Sequence, residues 1–406
     1  MSSSIKHLGK AEFDRYIMHV KSGMDCLTDQ WLVQSLLKQN LFKNARVQQA
    51  LVNIPTATAG HDIERAREAA QELFVALSNA FGEVNLAPLF CKVADYERNL
   101  FSLIPLYRDH SVHSIRVFLT GAYIMNRMAY KTPTLFSKVF HRNEMDYSML
   151  LKWFLTSIFH DIGIPIEKFA DQNNALEKFY QQYPGFDFER ARLNPKHSWL
   201  ISLSEFSEKI APEPKIRERL LRNIDKKEHG IIGAITLLHL AGQGILDMER
   251  IPPDYYELYI EPYIMPATRA IALHNDSDTE ILFEEDPMCF LLILCDEIQE
   301  WERSIVAGRM IVGSGIFHGT YIGVEAEKQR LKLRTLLFSN GKTQQMIIEL
   351  DPSYSPIRLV TDKIKNLRRL RSSEIRGDFH VAWTSAGTKA DPDLRRGTIS
   401  TVLFGN

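Results

Sequence analysis

Residues 150–159, "LLKWFLTSIF", are apolar on nearly every side of a helix and lead directly into His160 and Asp161. Leu150, Leu151, Phe154 and Ile158 form one helical stripe, while Trp153, Leu155 and Phe159 add apolar surface on other sides. A helix without a polar face has to lie at the centre of a helical domain. This one is expected to carry His160 and Asp161 into that interior, with Gly163 and Pro165 ending it. A carboxylate placed there is costly unless it is paired, hydrogen-bonded or bound to a metal. The same tripeptide occurs as His61-Asp62-Ile63, before the strongly helical "ERAREAAQELF". There Asp62 reads as an ordinary N-cap.

With 406 residues and 45% hydrophobic content, the chain can bury a large core. Lys+Arg 49 against Asp+Glu 50 leaves a net charge of -1, which excludes a global field steering it to nucleic acid or membrane. Cys26, Cys91, Cys289 and Cys295 show no C-x-x-C spacing and read as reduced, mostly buried thiols of an intracellular protein. "MSSSIKHLGK" has no apolar leader, and "CFLLILC" falls far short of the ~20 apolar residues that span a bilayer. A cytoplasmic protein without a membrane segment is expected.

From about residue 11 to 310 the apolar spacing is mostly helical, as in Val117, Thr120, Ile124 and Met128. In "EEDPMCFLLILCDEIQEWERS" acidic residues and Pro287 mark a helix start, and good helix formers carry it through Arg303. After about residue 311, "QRLKLRTLLF" and "KTQQMIIEL" are strand-like and flank Asn340-Gly341, a short-hairpin signal. Val360, Ile364, Leu367 and Leu370 then mark a helix, and "FHVAWTS" and "TISTVLF" read as strands. The expected fold is mainly α. A helical region at 1–100 packs on a helical body at 101–310, and a small α+β domain follows at 311–406.

Further imidazoles and carboxylates interrupt or border apolar stripes. They are His113 in "YRDHSVHSIRVFL", His229 in "KKEHGIIGAITLLHL", His274 in "ATRAIALHND" and Asp296 in "FLLILCDEIQEW". Zn, Mn, Fe and Co accept such ligands, and no thiolate accompanies them here. Six groups, with Asp161 able to bridge, suit two ions ~3.5–4 Å apart.

The order His … His-Asp … His … His … Asp resembles the HD superfamily of metal-dependent phosphohydrolases. "HSIRV", "FHDIG", "EHGIIGA", "AIALHN" and "LILCDEIQEW" are similar to its successive motifs, over about residues 105–305. Intervals of 47, 68, 45 and 22 residues separate His113 from His160, Asp161 from His229, His229 from His274, and His274 from Asp296. They fit that family's helical fold. The resemblance implies an all-helical HD-type bundle in which His113, His160, Asp161 and Asp296 hold one metal ion. His229 and His274 would hold a second, bridged through Asp161. One or two divalent ions (Mn, Fe, Co, Mg or Zn) are the cofactors implied. His113 is preferred to His110 because its spacing to Val117 matches the family's. His197 and His239 read as structural, and His318 and His380 lie outside the helical body. Two features depart from the pattern. Ile164 stands where many dinuclear members have lysine, which leaves the phosphate role to Lys168 one turn later. No Gly-Tyr-Pro segment follows His274, which disfavours the cyclic-di-GMP branch.

The activity implied is hydrolysis of a phosphate ester or phosphodiester, in a nucleotide or cyclic nucleotide, with Asp161 and Lys168 as the catalytic residues. Arg108, Arg116 and Arg269 are further candidates to hold phosphate, and Arg303 reads as a surface ion pair. A di-iron oxygenase could use the same six ligands, and a non-catalytic nucleotide-binding signalling protein is the other alternative. The partner expected is a small phosphate ester or nucleotide; a monomer and an oligomer both fit. In the C-terminal domain, Lys363, Lys365, Arg368, Arg369 and Arg371 form a basic cluster. It reads as a solvated face, with a nucleic-acid contact through residues 363–371 as the sharper alternative.

Overall fold

A computed structural model of the chain describes residues 6–7, 10–59, 62–82, 86–88, 90–91, 93–94, 97, 107–164, 167, 213–225, 228–241, 253–301, 305–307, 310–312, 319–327, 330–339, 356–385 and 395–404. These are mainly helical with a small sheet region, as the apolar spacing predicts. Contacts group the chain into two compact units, residues 1–153 with 280–406, and residues 154–279. That grouping follows contacts and not the three segments read along the sequence.

The first unit opens with β1 (Lys6–His7), α1 (Lys10–Lys21), β2 (Asp25–Leu27), α2 (Asp29–Lys38), α3 (Ala45–Thr58) and α4 (Ile63–Phe81). Short polar side chains start these helices by accepting the first free N–H groups. Thr28 accepts from Trp31, Asn44 from Arg46 and Val47, and Asp62 from Glu64 and Arg65 at 3.1 and 3.2 Å. Asp62 is therefore the cap expected of it, while His61 lies outside the described residues. β3 (Tyr107–Arg108), α5 (Ser111–Lys131), α6 (Pro133–Phe140) and α7 (Tyr147–Phe159) follow. α5 is buried on all sides from Ser111 to Met125. Gly121 lets α7 approach it: a Cβ there would lie 2.0 Å from the Trp153 ring, whose Nε1 donates to the Phe118 carbonyl at 2.8 Å. α7 is buried from Met149 to Phe159 apart from Lys152. It stops at Phe159, so His160 and Asp161 follow the helix instead of riding on it.

The second unit holds the end of α7, then α8 (Pro214–Asp225), α9 (His229–Ala241), a π-helical stretch Tyr256–Ile264 and α10 (Met265–Leu273). Pro262 lies inside the π stretch. It has no N–H to give to a normal helical bond, and the wider turn runs through it.

Back in the first unit come β4 (Ile281–Leu282), α11 (Pro287–Ile298), β5 (Ile305–Ala307), β6 (Met310–Val312), β7 (Gly319–Glu327), β8 (Arg330–Ser339), α12 (Pro356–Leu367), β9 (Leu370–Arg371), β10 (Ile375–Ser385) and β11 (Arg395–Phe404). Asp286 and Pro287 start α11 as predicted, but it does not run to Arg303. At Gln299 the backbone leaves the helix, with φ -76° and ψ 89°. Six strands form one sheet in the order β1-β11-β10-β8-β7-β2. β8 is antiparallel to β7 and parallel to β10, so both its edges are taken. The second arm of the hairpin expected across Asn340-Gly341 lies outside the described residues. β1 and β2 pair with β11 and β7, so the N-terminal region is not purely helical. Strands of two and three residues are too short to show alternation. α1 lays Phe13 and Val20 against Leu336 and Ala382 of the sheet.

The basic cluster does not form one solvated face. Lys363 and Arg369 are buried, while Lys365, Arg368 and Arg371 are exposed. Lys363 Nζ lies 3.0 Å from Glu297 Oε2 and 2.8 Å from Glu300 Oε1. Among the described residues no helix is long and apolar enough to cross a membrane.

Arg116, between α2 and α11, is fully committed. Its Nε and NH2 donate to the two oxygens of Asp29 at 2.9 and 2.6 Å, and the Trp301 indole donates to Asp29 at 3.2 Å. Burial alone would raise the Asp29 carboxyl, but Arg116 outweighs it and holds the group below the usual carboxylate range. The pair therefore stabilises the fold above pH ~4, the unfolded value, and that contribution fades as pH falls through the lower folded value. Arg116→Ala leaves a buried carboxylate unpaired and should cost about 3–5 kcal/mol in denaturant unfolding at pH 7. The deficit should shrink as the pH falls from neutral, because the unpaired carboxyl of the variant takes up a proton above its usual range and the wild-type pair loses its contribution below ~4. A pH-independent deficit would contradict this account.

Candidate metal centre

Four of the six expected ligands fall in the second unit, each at a helix end. His160 and Asp161 follow α7, His229 opens α9, and His274 is the residue after α10. The turn after α7 is closed by the Ile164 N–H donating to the Asp161 carbonyl at 3.0 Å. His160, Asp161 and His274 are 0%, 7% and 4% exposed, so the polar groups do enter the interior. One donor atom each from Asp161, His229 and His274 lies within 4.8 Å of the others. The His160 and His229 rings stand 5.4 and 5.3 Å from the His274 ring. Asp161 Oδ2 is 3.4 Å from His160 Nε2, and Oδ1 is 3.7 Å from His229 Nε2. Two ligands 2.0–2.2 Å from one tetrahedral ion are about 3.4 Å apart, so these spacings fit shared coordination.

The hydrogen bonds of the rings decide which nitrogen can bind. A carbonyl oxygen accepts only from an N–H. His160 Nδ1 donates to the Ser157 carbonyl at 2.7 Å and His274 Nδ1 to the Ile271 carbonyl at 2.6 Å. In both cases the acceptor is three residues back, in the last turn of a helix whose carbonyls have run out of partners. The bond closes the helix and fixes the tautomer, leaving the Nε2 lone pair as the metal-binding face. At His229 the Nδ1 partner is a carboxylate, Glu167 Oε2, at 2.5 Å, and Glu228 lies 3.5 Å away. Burial disfavours a charged ring there, but Glu167, Glu228 and Asp161 outweigh it and push His229 up to about 9. The Asn275 amide nitrogen lies 2.6 Å from His229 Nε2.

His113 and Asp296 lie in the first unit and meet each other. His113, in the first turn of α5, places Nε2 2.9 Å from Asp296 Oδ1, and its Nδ1 bonds Gln299 Oε1. Gln299 Nε2 donates to the Trp301 carbonyl at 3.2 Å, which turns Oε1 toward the ring. His110 is engaged by Glu97, through Nδ1 at 3.2 Å, in keeping with its lower rank.

The anion-binding candidates fare differently. Lys168 and Arg303 lie outside the described residues, as do His197 and His318. Arg116 is buried against Asp29 and is not available to phosphate. Arg269 stands 3.7 Å from Glu213. His380 is in β10 of the sheet, bonded to Tyr16. Glu167, Glu228 and Asn275 were not anticipated. Two of them abut a motif histidine in sequence, and that adjacency is the signal that could have found them.

Glycines make the cluster possible. A Cβ on Gly163 would lie 2.2 Å from the His229 carbonyl oxygen, and one on Gly233 would lie 2.3 Å from that of Phe159. At Gly230 it would lie 2.7 Å from the Ile271 oxygen and 2.8 Å from the His274 ring. α9 therefore touches the end of α7 and the end of α10 backbone to backbone. Known protein families, curated proteins and solved structures were all compared with the chain, and none matches.

Gly230→Ala should push His274 off its position, cost about 1–3 kcal/mol as an overpacked site does, and weaken uptake of divalent ions. Gly82→Ala is the control. It has a φ of 78° but nothing within 4 Å of the added atom. It should cost about 1 kcal/mol of backbone strain and leave ion uptake unchanged. Equal ion binding by both variants, read by titration calorimetry, would show that the close approach does not shape the ligands.

Proposed function

We propose that the protein is a metal-dependent phosphohydrolase of the HD type, acting on a phosphate ester or phosphodiester such as a nucleotide. The observation that carries this reading is the meeting of Asp161, His229 and His274 in the second unit, with Nδ1 of both rings committed to an oxygen. The two oxygens of Asp161 face different imidazoles, as a carboxylate bridging two ions would. His113 and Asp296 are proposed as the remaining ligands, and their own variants test that membership by ion stoichiometry.

A bound divalent ion supplies Lewis-acid charge and makes hydroxide available at neutral pH. The chain's own contribution is orientation. Asp161 is held by its turn, His160 and His274 are locked by helix-end carbonyls, and His229 is held by Glu167. Burial of His160, Asp161 and His274 limits bulk water there, which strengthens electrostatic terms. Lys168 is the residue assigned to the substrate phosphate.

The purified protein is expected to contain Mn, Fe, Co, Zn or Mg, and to hydrolyse at least one member of a panel of phosphomonoesters, phosphodiesters and nucleotides. Asp161→Ala should lose both bound metal and turnover. Full activity in that variant would refute the mechanism, and product formation that needs O₂ and iron would assign the centre to an oxygenase instead.

A further inference from the structure

We propose that Glu167 is a positioning residue that sets the affinity for the ion held by His229; the inference rests on the metal centre proposed above. Glu167 Oε2 accepts two bonds from one residue, the His229 backbone N–H at 3.1 Å and the ring Nδ1 at 2.5 Å. The same oxygen thus ties the imidazole to the frame of α9. A helix cap alone does not call for it. Glu228 already serves the start of α9, accepting from Gly230 N at 3.0 Å and Ile231 N at 3.2 Å.

Glu167 also differs in kind from the partners of the other two imidazoles. His160 and His274 donate to backbone carbonyls, which are dipoles. Glu167 brings a whole charge to the nitrogen opposite the one that binds. A carboxylate there makes the ring a stronger ligand and fixes its direction, and loss of such a partner typically costs about 10–100-fold in metal affinity. His229 is also the least enclosed of the three rings, half-buried where His160 and His274 are buried. It has most need of a side chain to hold it.

The test uses the full-length chain, stripped of metal and titrated with Co²⁺ and Zn²⁺ against a chromophoric chelator. Glu167→Gln keeps an acceptor oxygen and removes the charge. It should weaken the ion held by His229 about tenfold, and Glu167→Ala, which removes both, about 100-fold. The cobalt absorption spectrum should change in both. Glu228→Gln removes the same charge from the same neighbourhood but leaves the Nδ1 bond, and should lose less affinity than Glu167→Gln. Melting in excess chelator shows that each variant folds; should Glu167→Ala unfold, Glu167→Gln decides. Wild-type affinity and spectrum in Glu167→Gln would overturn the proposal, and so would an equal loss in Glu228→Gln. A wild-type chain that takes up neither ion would overturn the metal centre itself, and this inference with it.

Discussion

A neutral imidazole has one lone pair to give, and the protein settles which nitrogen offers it. His160, His229 and His274 each commit Nδ1 to an oxygen. Two of these bonds do a second task. A helix that ends in the interior leaves carbonyls with no N–H to meet them, and such groups are expensive to bury. Placing histidine directly after α7 and directly after α10 solves both problems at once. The ring completes the helix end, and the helix end selects the tautomer. The site and the secondary structure around it are therefore one arrangement: moving either ring would open a helix terminus as well as displace a candidate ligand.

A comparable economy governs the first unit, where the residues after Asp296 carry most of the polar load. Gln299 takes the His113 ring, and Glu297 and Glu300 take Lys363 from α12. The Trp301 indole donates to Asp29, which also holds Arg116. None of these groups could be buried alone, since each unpaired charge would cost several kcal/mol. Together they join α2, α5, α11 and α12 around one short stretch. Gln299, Glu300 and Trp301 lie just past the end of α11 at Ile298, and Glu297 lies in its last turn.

Much of this was legible in the sequence because burial leaves periodic traces. The all-round apolar pattern at 150–159 placed α7 in the interior, and the Asp62 and Asp286 caps were readable from residue type and position. The tripeptide at 61–63 and the one at 160–162 are identical, yet neighbours alone assign one to a cap and the other to a buried turn. Short edge strands were not legible: Lys6–His7 and Asp25–Leu27 are ordered by partners more than 290 residues away in sequence. The fate of Arg116 and Lys363 was hidden for a related reason. A cation in a helix looks like surface charge until the carboxylate that buries it is known, and Asp29, Glu297 and Glu300 lie far off along the chain. Gly163, Gly230 and Gly233 were visible as letters inside the motifs. Their role was not visible, because it depends on which backbone fills the space a Cβ would take.

Charge balance makes the last argument for a cation. Asp161, Glu167 and Glu228 bring three carboxylates to one imidazole, His229. Arg219 and Arg269, in the same unit, are drawn away by Asp276 at 3.1 Å and Glu213 at 3.7 Å. Among the described residues, three carboxylates so close together disfavour an anionic phosphate at short range, where Coulomb terms are largest. Divalent ions bound as proposed would reverse the sign of the field there. Acidic surroundings of this kind disfavour phosphate by themselves and favour a cation.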